Sequence, residues 1–141
     1  MTQIDFYILG DQATGDRFQL ACRIVDKAWR QGHRIYLHTN SDAESRHLDK
    51  LLWTQWEESF IPHGLIGESD GTLTPVLIGH NAQAGDEHDV LINLATDMPP
   101  FFSRFTRVAE LIDQDPVVRK AGRNRYRTYR DRGYTLNTHN L

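Results

Sequence analysis

Two patterns of apolar residues alternate along the chain. The first is a short run rich in β-branched and other apolar residues, which is typical of a strand buried in a parallel sheet. The sequence predicts five such strands, at Ile4–Leu9, Arg34–His38, Pro75–Gly79, Val90–Leu94 and Arg107–Ile112. The fifth segment could instead extend a short helix that precedes it, and we prefer the strand.

The second pattern has apolar residues at helical spacing. Four segments are predicted as helices, namely Thr14–Gln31, the segment from Ser41 to Trp53, the short stretch Phe101–Phe105 and Pro116–Arg132. Ser41 caps the second helix, Pro116 suits the first turn of the last one, and Gly133 is a natural residue for its C-terminal end. The polar stretch Asn81–Glu87 is expected to be a mobile loop.

Strands that alternate with helices of ten or more residues indicate βαβ units with right-handed crossovers. We therefore expect an α/β fold with an open, mainly parallel sheet and helices on both of its faces. With 141 residues and no internal repeat or low-complexity tract, the chain 1–141 is expected to be a single domain. Such a fold is Rossmann-like, which raises the question of a nucleotide site.

The turn after the first strand has part of the pattern of a phosphate-binding loop. Gly10 and Gly15 have the spacing of the two glycines in that loop, but Asp16 stands where a lysine should contact phosphate. A carboxylate there would repel the anion, and the dinucleotide fingerprint G-x-G-x-x-G is also missing. The sequence favours a plain strand-to-helix turn, with a nucleotide-binding enzyme as the alternative.

Motifs of catalysis and of metal binding are missing from the sequence. The seven histidines form no H-E-x-x-H or other close ligand pair, and Glu87-His88-Asp89 is as typical of a solvated turn as of a site. No G-x-S-x-G nucleophile motif occurs. The single cysteine, Cys22, lies in an apolar helical pattern and is expected to be a small buried core residue. We expect neither catalytic activity nor a metal or cofactor.

Composition is that of a globular protein, since 39% of the residues are hydrophobic and 25% are charged. No apolar run approaches the roughly 20 residues that a membrane-spanning helix needs. The N-terminus also lacks the basic flank and the apolar stretch of a signal peptide. We therefore expect a cytoplasmic protein without a membrane partner.

Charge is distributed unevenly between the last helix and the rest of the chain. Seven of the 16 Lys and Arg residues fall between Arg119 and Arg132, where Asp131 is the one acid, so the charge is +6 from Arg119 onward. The chain up to Val118 has nine basic residues and 18 acidic ones, which gives −9. A concentrated cationic helix on an acidic body is a candidate site for an anionic partner.

Helical spacing places five residues of this segment on one side of the helix: Arg119, Arg123, Tyr126, Arg127 and Arg130. One interpretation is an ordinary solvated helix face. A second is direct binding of single-stranded nucleic acid, with the arginines on phosphates. Because the acidic body would repel a long polyanion, a compact acidic peptide with an apolar residue beside Tyr126 fits better.

Aromatic and apolar residues continue past the second helix into a predicted loop, at Leu51, Leu52, Trp53, Trp56, Phe60, Ile61 and Pro62. We expect Leu51 and Leu52 to belong to the core. Trp53 and Phe60 are equally consistent with a core position and with an exposed interface anchor, a role in which tryptophan is enriched.

Short motifs along the chain have the order and spacing of one known family. They are Phe6-Tyr7-Ile8-Leu9, Leu52-Trp53, Glu58-Ser59-Phe60-Ile61-Pro62-His63, Arg125-Tyr126-Arg127-Thr128-Tyr129-Arg130 and Gly133-Tyr134-Thr135-Leu136-Asn137. In these motifs the chain resembles the chi subunit of the bacterial DNA polymerase III holoenzyme over nearly its whole length. The resemblance implies a non-catalytic accessory subunit of the clamp-loader complex, on a nucleotide-binding-like fold that has no nucleotide.

The resemblance also implies two partners in DNA replication, with DNA contacted only indirectly. The acidic C-terminal tail of single-stranded DNA-binding protein would bind at Ile112, Arg119, Arg123, Tyr126 and Arg127. The psi subunit, or in this family a helicase-like partner, would bind at Trp53, Phe60 and Pro62. Arg127 stands where the family has a lysine, which keeps the charge but makes a bidentate contact with a carboxylate possible.

Overall fold

The computed structural model describes residues 2–54, 61–71, 73–81 and 84–141. Within these ranges seven strands form one sheet in which every pair is parallel. The strands are β1 Gln3–Ile8, β2 Ile35–His38, β3 His63–Leu65, β4 Val76–Gly79, β5 Val90–Asn93, β6 Arg107–Ile112 and β7 Leu136–Asn140. The helices are α1 Arg17–Arg30, α2 Asp42–Thr54 and α3 Pro116–Asp131, with a short 3-10 helix at Phe102–Arg104.

The predicted α/β fold with a parallel sheet is confirmed, and the strand order is β3-β4-β2-β5-β6-β1-β7. All five predicted strands are present, and Arg107–Ile112 is a strand and not a continuation of the helix. Helix α1 begins three residues after Thr14 because Asp16 is its N-cap. The Asp16 carboxylate accepts hydrogen bonds from the backbone N–H of Phe18 and of Gln19.

Two strands were not predicted, and both lie at edges of the sheet. β3 is three residues long, which is too short for a periodic pattern to be recognised. β7 pairs with β1 on one side, and most of its residues are exposed, so its sequence is polar where a buried strand would be apolar. Edge strands lack the hydrophobic signal that identified the five central ones.

Helices cover both faces of the sheet, as predicted. On one face, α1 and α2 bury apolar side chains such as Cys22 and Leu48. On the other, α3 and the 3-10 helix bury residues that include Val118 and Phe102. None of the helices in the described ranges has the length and apolar composition needed to cross a bilayer.

Gly133 follows α3 with a backbone φ of +86°, the left-handed conformation that glycine adopts most easily, so the predicted helix end is confirmed. The predicted loop Asn81–Glu87 includes Ala82 and Gln83, which lie outside the described residues.

A buried charged network joins α3 to the sheet. Glu110, in the middle of β6, is 0% exposed. The Tyr129 hydroxyl donates to its Oε2 at 2.7 Å, while Arg125 Nε and Asn93 Nδ2 donate to its Oε1 at 3.0 and 2.9 Å. Arg125 Nη1 also donates to the Thr96 carbonyl at 2.6 Å, and Nη2 has no acceptor among the described residues. These bonds connect α3 to β6 and to the end of β5.

Tyr129 remains a hydrogen-bond donor at all ordinary pH values. Burial raises the pKa of its hydroxyl, and the negative charge of Glu110 raises that pKa further. The protonated hydroxyl is therefore the form that stabilises the buried carboxylate.

Replacing Tyr129 by Phe removes this donor and keeps the ring. A hydrogen bond to a charged group contributes about 1.5–3 kcal/mol, so we expect the free energy of unfolding to fall by about 2 kcal/mol. Urea unfolding followed by circular dichroism measures the change. Tyr134→Phe is the matched control, because that ring packs on Phe102 and Tyr129 while its hydroxyl bonds to no described residue. Equal losses in the two variants would contradict the role given to the hydroxyl.

Cys22 is 0% exposed, which confirms its predicted place in the core. Burial raises the pKa of its thiol to about 12, with a further contribution from the charge of Asp16. Since the thiolate is the reactive form, we expect the folded protein to resist Ellman's reagent at mildly alkaline pH while the urea-unfolded protein reacts fully. Absorbance of the released thiol product measures both rates, and fast reaction of the folded protein would contradict the burial of Cys22.

Candidate protein interaction surfaces

Helix α3 has a buried side and an exposed side. Its buried side consists of Val118, Gly122, Arg125 and Tyr129, whose spacing follows the helical repeat. Asp115 caps the helix by accepting a hydrogen bond from the backbone N–H of Val117 at 2.8 Å. Because Arg125 and Tyr129 are bound to Glu110, the rotation of α3 about its own axis is fixed.

The side of α3 next to the buried one displays a group of residues that we call the arginine stripe: Arg119, Arg123, Tyr126 and Arg127. Arg123 and Arg127 are exposed, and neither forms an ion pair or a hydrogen bond with another described residue. Tyr126 is half-buried, and its ring meets the edge of Phe6 at a centroid distance of 5.1 Å. The stripe therefore combines free cationic groups with an aromatic ring held in place by the core.

Arg119 is the one member of the stripe whose charged group is anchored. Its Nε donates to the Asp113 carbonyl at 3.2 Å, and its Nη2 donates to the Leu9 carbonyl at 3.4 Å. The same Nη2 lies 2.8 Å from a carboxylate oxygen of Asp11. The guanidinium is thus fixed near the carboxyl ends of β1 and β6.

Ile112 lies beneath the stripe and is 5% exposed. Gly122 of α3 crosses directly above it, so closely that a side-chain carbon at position 122 would lie 3.2 Å from Ile112 Cγ1 and closer still to its Cδ1. The absence of a side chain at Gly122 lets α3 approach the sheet at this point. The structure brings Ile112 next to the stripe, as part of its buried support.

The exposed cationic face is smaller than the sequence suggested. The sequence count placed Arg125 among the seven basic residues of the cluster, but this residue is 4% exposed and paired with Glu110 at 3.0 Å. Arg125 is three residues from Gly122 and four from Tyr129, so it lies on the side of α3 that faces the sheet. Arg130, also predicted on the exposed side, lies 3.6 Å from Asp131.

The second surface lies at the C-terminal end of α2. Trp53 is 50% exposed, and its ring contacts His63 at a centroid distance of 4.6 Å. The His63 ring nitrogens lie 2.7 and 3.1 Å from the carbonyl oxygens of Ile61 and Asp49. Pro62 is half-buried beside them. We call Trp53 and Pro62 the Trp53 surface, and the His63 side chain, which is 1% exposed, supports it from the interior.

The sequence left the exposure of Trp53 open, and the structure makes it a surface residue. Leu52 is buried and Leu51 packs partly buried against the same core, as expected. Trp56 and Phe60 lie outside the described residues, so the expectation for Phe60 stays a prediction.

The arginine stripe and the Trp53 surface are far apart in the fold. Helix α2 packs on one face of the sheet and α3 on the other. β3, which follows the Trp53 surface, is one edge of the sheet, whereas β1 and β7 beside α3 form the opposite edge. The two surfaces therefore face away from each other.

The carboxyl ends of the strands, where Rossmann-like folds hold nucleotides, are occupied by an internal network around Arg17. The backbone N–H and Nη1 of Arg17 donate to Asp113 at 3.0 and 3.2 Å, and its Nε donates to the Leu94 carbonyl at 3.0 Å. Its Nη2 donates to Glu44 at 3.3 Å. Since Asp16 and Asp113 take the N–H groups at the start of α1, a phosphate there would meet two carboxylates.

Glu87 and Asp89, from the Glu87-His88-Asp89 turn, hold the start of β2 in place. Glu87 pairs with Arg34 at 2.8 Å, and Asp89 accepts the backbone N–H of Arg34 at 2.9 Å and lies 3.2 Å from His33. Among the described residues, no group of His, Cys, Asp and Glu side chains is arranged to hold a metal ion.

Two carboxylates that pair with arginines of α3, Glu110 and Asp11, were not identified from the sequence. A charged residue in the middle of the apolar run 107–112 was a visible signal of a buried partner. No comparable signal existed for Asp11, because its contact with Arg119 depends on how the turn after β1 and α3 meet in space.

Comparison with known proteins gives a consistent result. The family model described as DNA polymerase III chi subunit, HolC, matches residues 1–137. A DNA polymerase III subunit chi from Pseudomonas aeruginosa is 43% identical over 141 residues, covering 100% of this chain and 98% of the relative. Proteins of the same name from Escherichia coli and Haemophilus influenzae are 33% and 31% identical, over 98% and 96% of this chain and 97% and 95% of the relatives. This chain belongs to the DNA polymerase III chi subunit family.

Proposed function

We propose that this chain is a non-catalytic accessory subunit of the clamp-loader complex of DNA polymerase III, acting in the cytoplasm during DNA replication. It bridges the psi subunit and the acidic C-terminal tail of single-stranded DNA-binding protein. The observation that carries the proposal is the arginine stripe, in which Arg123 and Arg127 are exposed and unpaired among the described residues, beside the anchored ring of Tyr126.

The size of the stripe fits a short peptide. From Arg119 to Arg127 the helix rises about 12 Å, at about 1.5 Å per residue. An extended peptide covers this distance with about four residues, at about 3.3 Å each. Carboxylates of such a peptide would bind the three guanidinium groups, and an apolar side chain would pack on Tyr126 above Ile112.

The surroundings of the stripe favour a peptide over a nucleic acid. Asp11 lies beside Arg119, and Asp115 caps the start of the same helix. The chain up to Val118 carries −9 in total, so a polyanion that extended past the stripe would be repelled. A ligand with few charges gains the attraction of the arginines without meeting the acidic body.

The Trp53 surface has the chemistry of a hydrophobic anchor for psi. A half-exposed tryptophan offers a large apolar area, and its position on His63 restricts the motion of the ring. We propose that Phe60 binds psi together with Trp53 and Pro62, and that the same surface could also serve a helicase-like partner. DNA itself is contacted only through the protein partners.

The placement of the two surfaces on opposite faces of the sheet supports a bridging role. When one partner is bound, the second binding event brings the two partners together at a high effective concentration. Such a connector strengthens an assembly without any chemical step, and it needs no catalytic residues of its own.

Arg127→Glu tests the tail site. The change replaces an exposed, unpaired cation of the stripe by an anion, so we expect the affinity for the acidic tail peptide to fall by about tenfold or more. Isothermal titration calorimetry with a synthetic tail peptide measures the affinity, and circular dichroism checks the fold.

Arg23→Glu is the matched control for this variant. Arg23 is exposed on α1, which packs on the opposite face of the sheet, and the substitution changes the net charge by the same amount. Unchanged affinity in Arg127→Glu, or equal weakening in both variants, would contradict the assignment of the tail to the stripe.

Trp53→Ala tests the psi site. Loss of a central aromatic anchor commonly costs about 2 kcal/mol or more of binding free energy, so we expect psi binding to weaken at least about thirtyfold. Co-elution with purified psi in size-exclusion chromatography shows whether the complex forms, and calorimetry measures the affinity.

The two variants also serve as controls for each other. Trp53→Ala should bind the tail peptide normally, and Arg127→Glu should bind psi normally. A variant that lost both partners would argue against two separate surfaces.

A further inference from the structure

The turn after β1 lies directly beside the arginine stripe. Gln114, just before α3, donates from its Nε2 to the carbonyls of Gly10 and Ala13 at 3.0 and 3.1 Å. These bonds hold the turn against the start of α3. Asp11 extends from this turn with a side chain that is 77% exposed, and its carboxylate reaches Arg119 at 2.8 Å.

The contact with Asp11 limits what Arg119 can offer to a ligand. Arg119 Nε donates to the Asp113 carbonyl and Nη2 donates to the Leu9 carbonyl, while the Asp11 carboxylate forms an ion pair with the same Nη2. A bidentate contact of an arginine with a carboxylate uses two neighbouring N–H groups, and at least one of them is on Nη2 or Nε. While Asp11 lies against Nη2, a ligand carboxylate that approaches Nη2 competes with it for Arg119.

We propose that Asp11 is an internal competitor for the carboxylates of the acidic peptide, and that it sets the affinity of the arginine stripe. The inference rests on the proposed tail-binding function. Asp11 occupies at Arg119 the position that a ligand carboxylate would take, and its negative charge repels an acidic chain that approaches the end of the stripe.

The competition is of a kind that a ligand can overcome. The Arg119 side chain is 30% exposed and that of Asp11 is largely in solvent, and pairs between exposed charges contribute little to stability. An incoming peptide first meets Arg123 and Arg127, which are unpaired among the described residues, and displaces Asp11 from Arg119 last. Asp11 therefore weakens binding and favours release without closing the site.

Asp11→Asn tests the proposal, since it keeps the size of the side chain and removes its charge. We expect the variant to bind the acidic tail peptide about fivefold more tightly than the unmodified protein, as measured by calorimetry at low and at physiological salt. Asp11→Ala, which removes the carboxylate altogether, should bind at least as tightly.

Asp26→Asn is the matched control. Asp26 also forms an exposed pair with an arginine, Arg30, at 3.0 Å, but it lies on α1 on the opposite face of the sheet. Its substitution changes the net charge equally and should leave the affinity unchanged. In an Arg119→Gln background, Asp11→Asn should lose most of its effect, because the group for which Asp11 competes is gone.

The outcomes separate this inference from the proposed function. The unmodified protein could bind the peptide tightly while Asp11→Asn bound it with equal or lower affinity. That result would overturn the competitor role and leave the tail site intact. An equal gain in Asp26→Asn would assign the effect to net charge and overturn it as well. If neither the unmodified protein nor Asp11→Asn bound the peptide, the tail site and the inference would both fall, whereas binding by Asp11→Asn alone would support a strong competitor.

Discussion

The buried carboxylate of Glu110 is the constraint on which the arrangement of α3 depends. A charge that is fully removed from water must be paired, and removing one partner of such a pair costs about 3–5 kcal/mol. Arg125 and Tyr129 supply the partners from α3, and Asn93 supplies a third from β5. Only one rotation of the helix satisfies these bonds. The network thereby directs Arg123 and Arg127 away from the sheet.

A strongly basic helix must limit the repulsion between its arginines and still leave some of them accessible to a ligand. In this structure a buried arginine is paired, and exposed arginines remain accessible. One arginine of the basic segment, Arg125, is neutralised by Glu110 in the interior. Arg123 and Arg127 of the stripe stay in solvent, where water lowers the cost of their mutual repulsion and a ligand can reach them. The number of basic residues in the segment therefore does not give the number that a ligand can reach. That number depends on the direction of each side chain.

The hydrophobic pattern predicted the central part of the fold well. Each inner strand is buried on both faces, and its sequence is therefore a run of mostly apolar residues. The edge strands β3 and β7 have no such apolar run, because one is only three residues long and the other is mostly exposed. Helical spacing found the positions of Arg119, Tyr126 and Arg127, since it depends only on the geometry of one helix. It could not find Asp11, which belongs to another segment. The count of basic residues, unlike the helical spacing, included Arg125 with the exposed charges, although Glu110 in β6 offered a partner.

Two carboxylates meet arginines of the same helix, and their different depth gives them different physical roles. Glu110 binds Arg125 where water is excluded, so the contact is costly to break and acts on the orientation of α3. Asp11 binds Arg119 in solvent, where Coulomb attraction is weak and screened by salt, so the contact exchanges readily. Chemically similar pairs thus fix the geometry of the stripe in one case and regulate its occupancy in the other. Burial, and not the identity of the residues, makes the first structural and leaves the second open to competition.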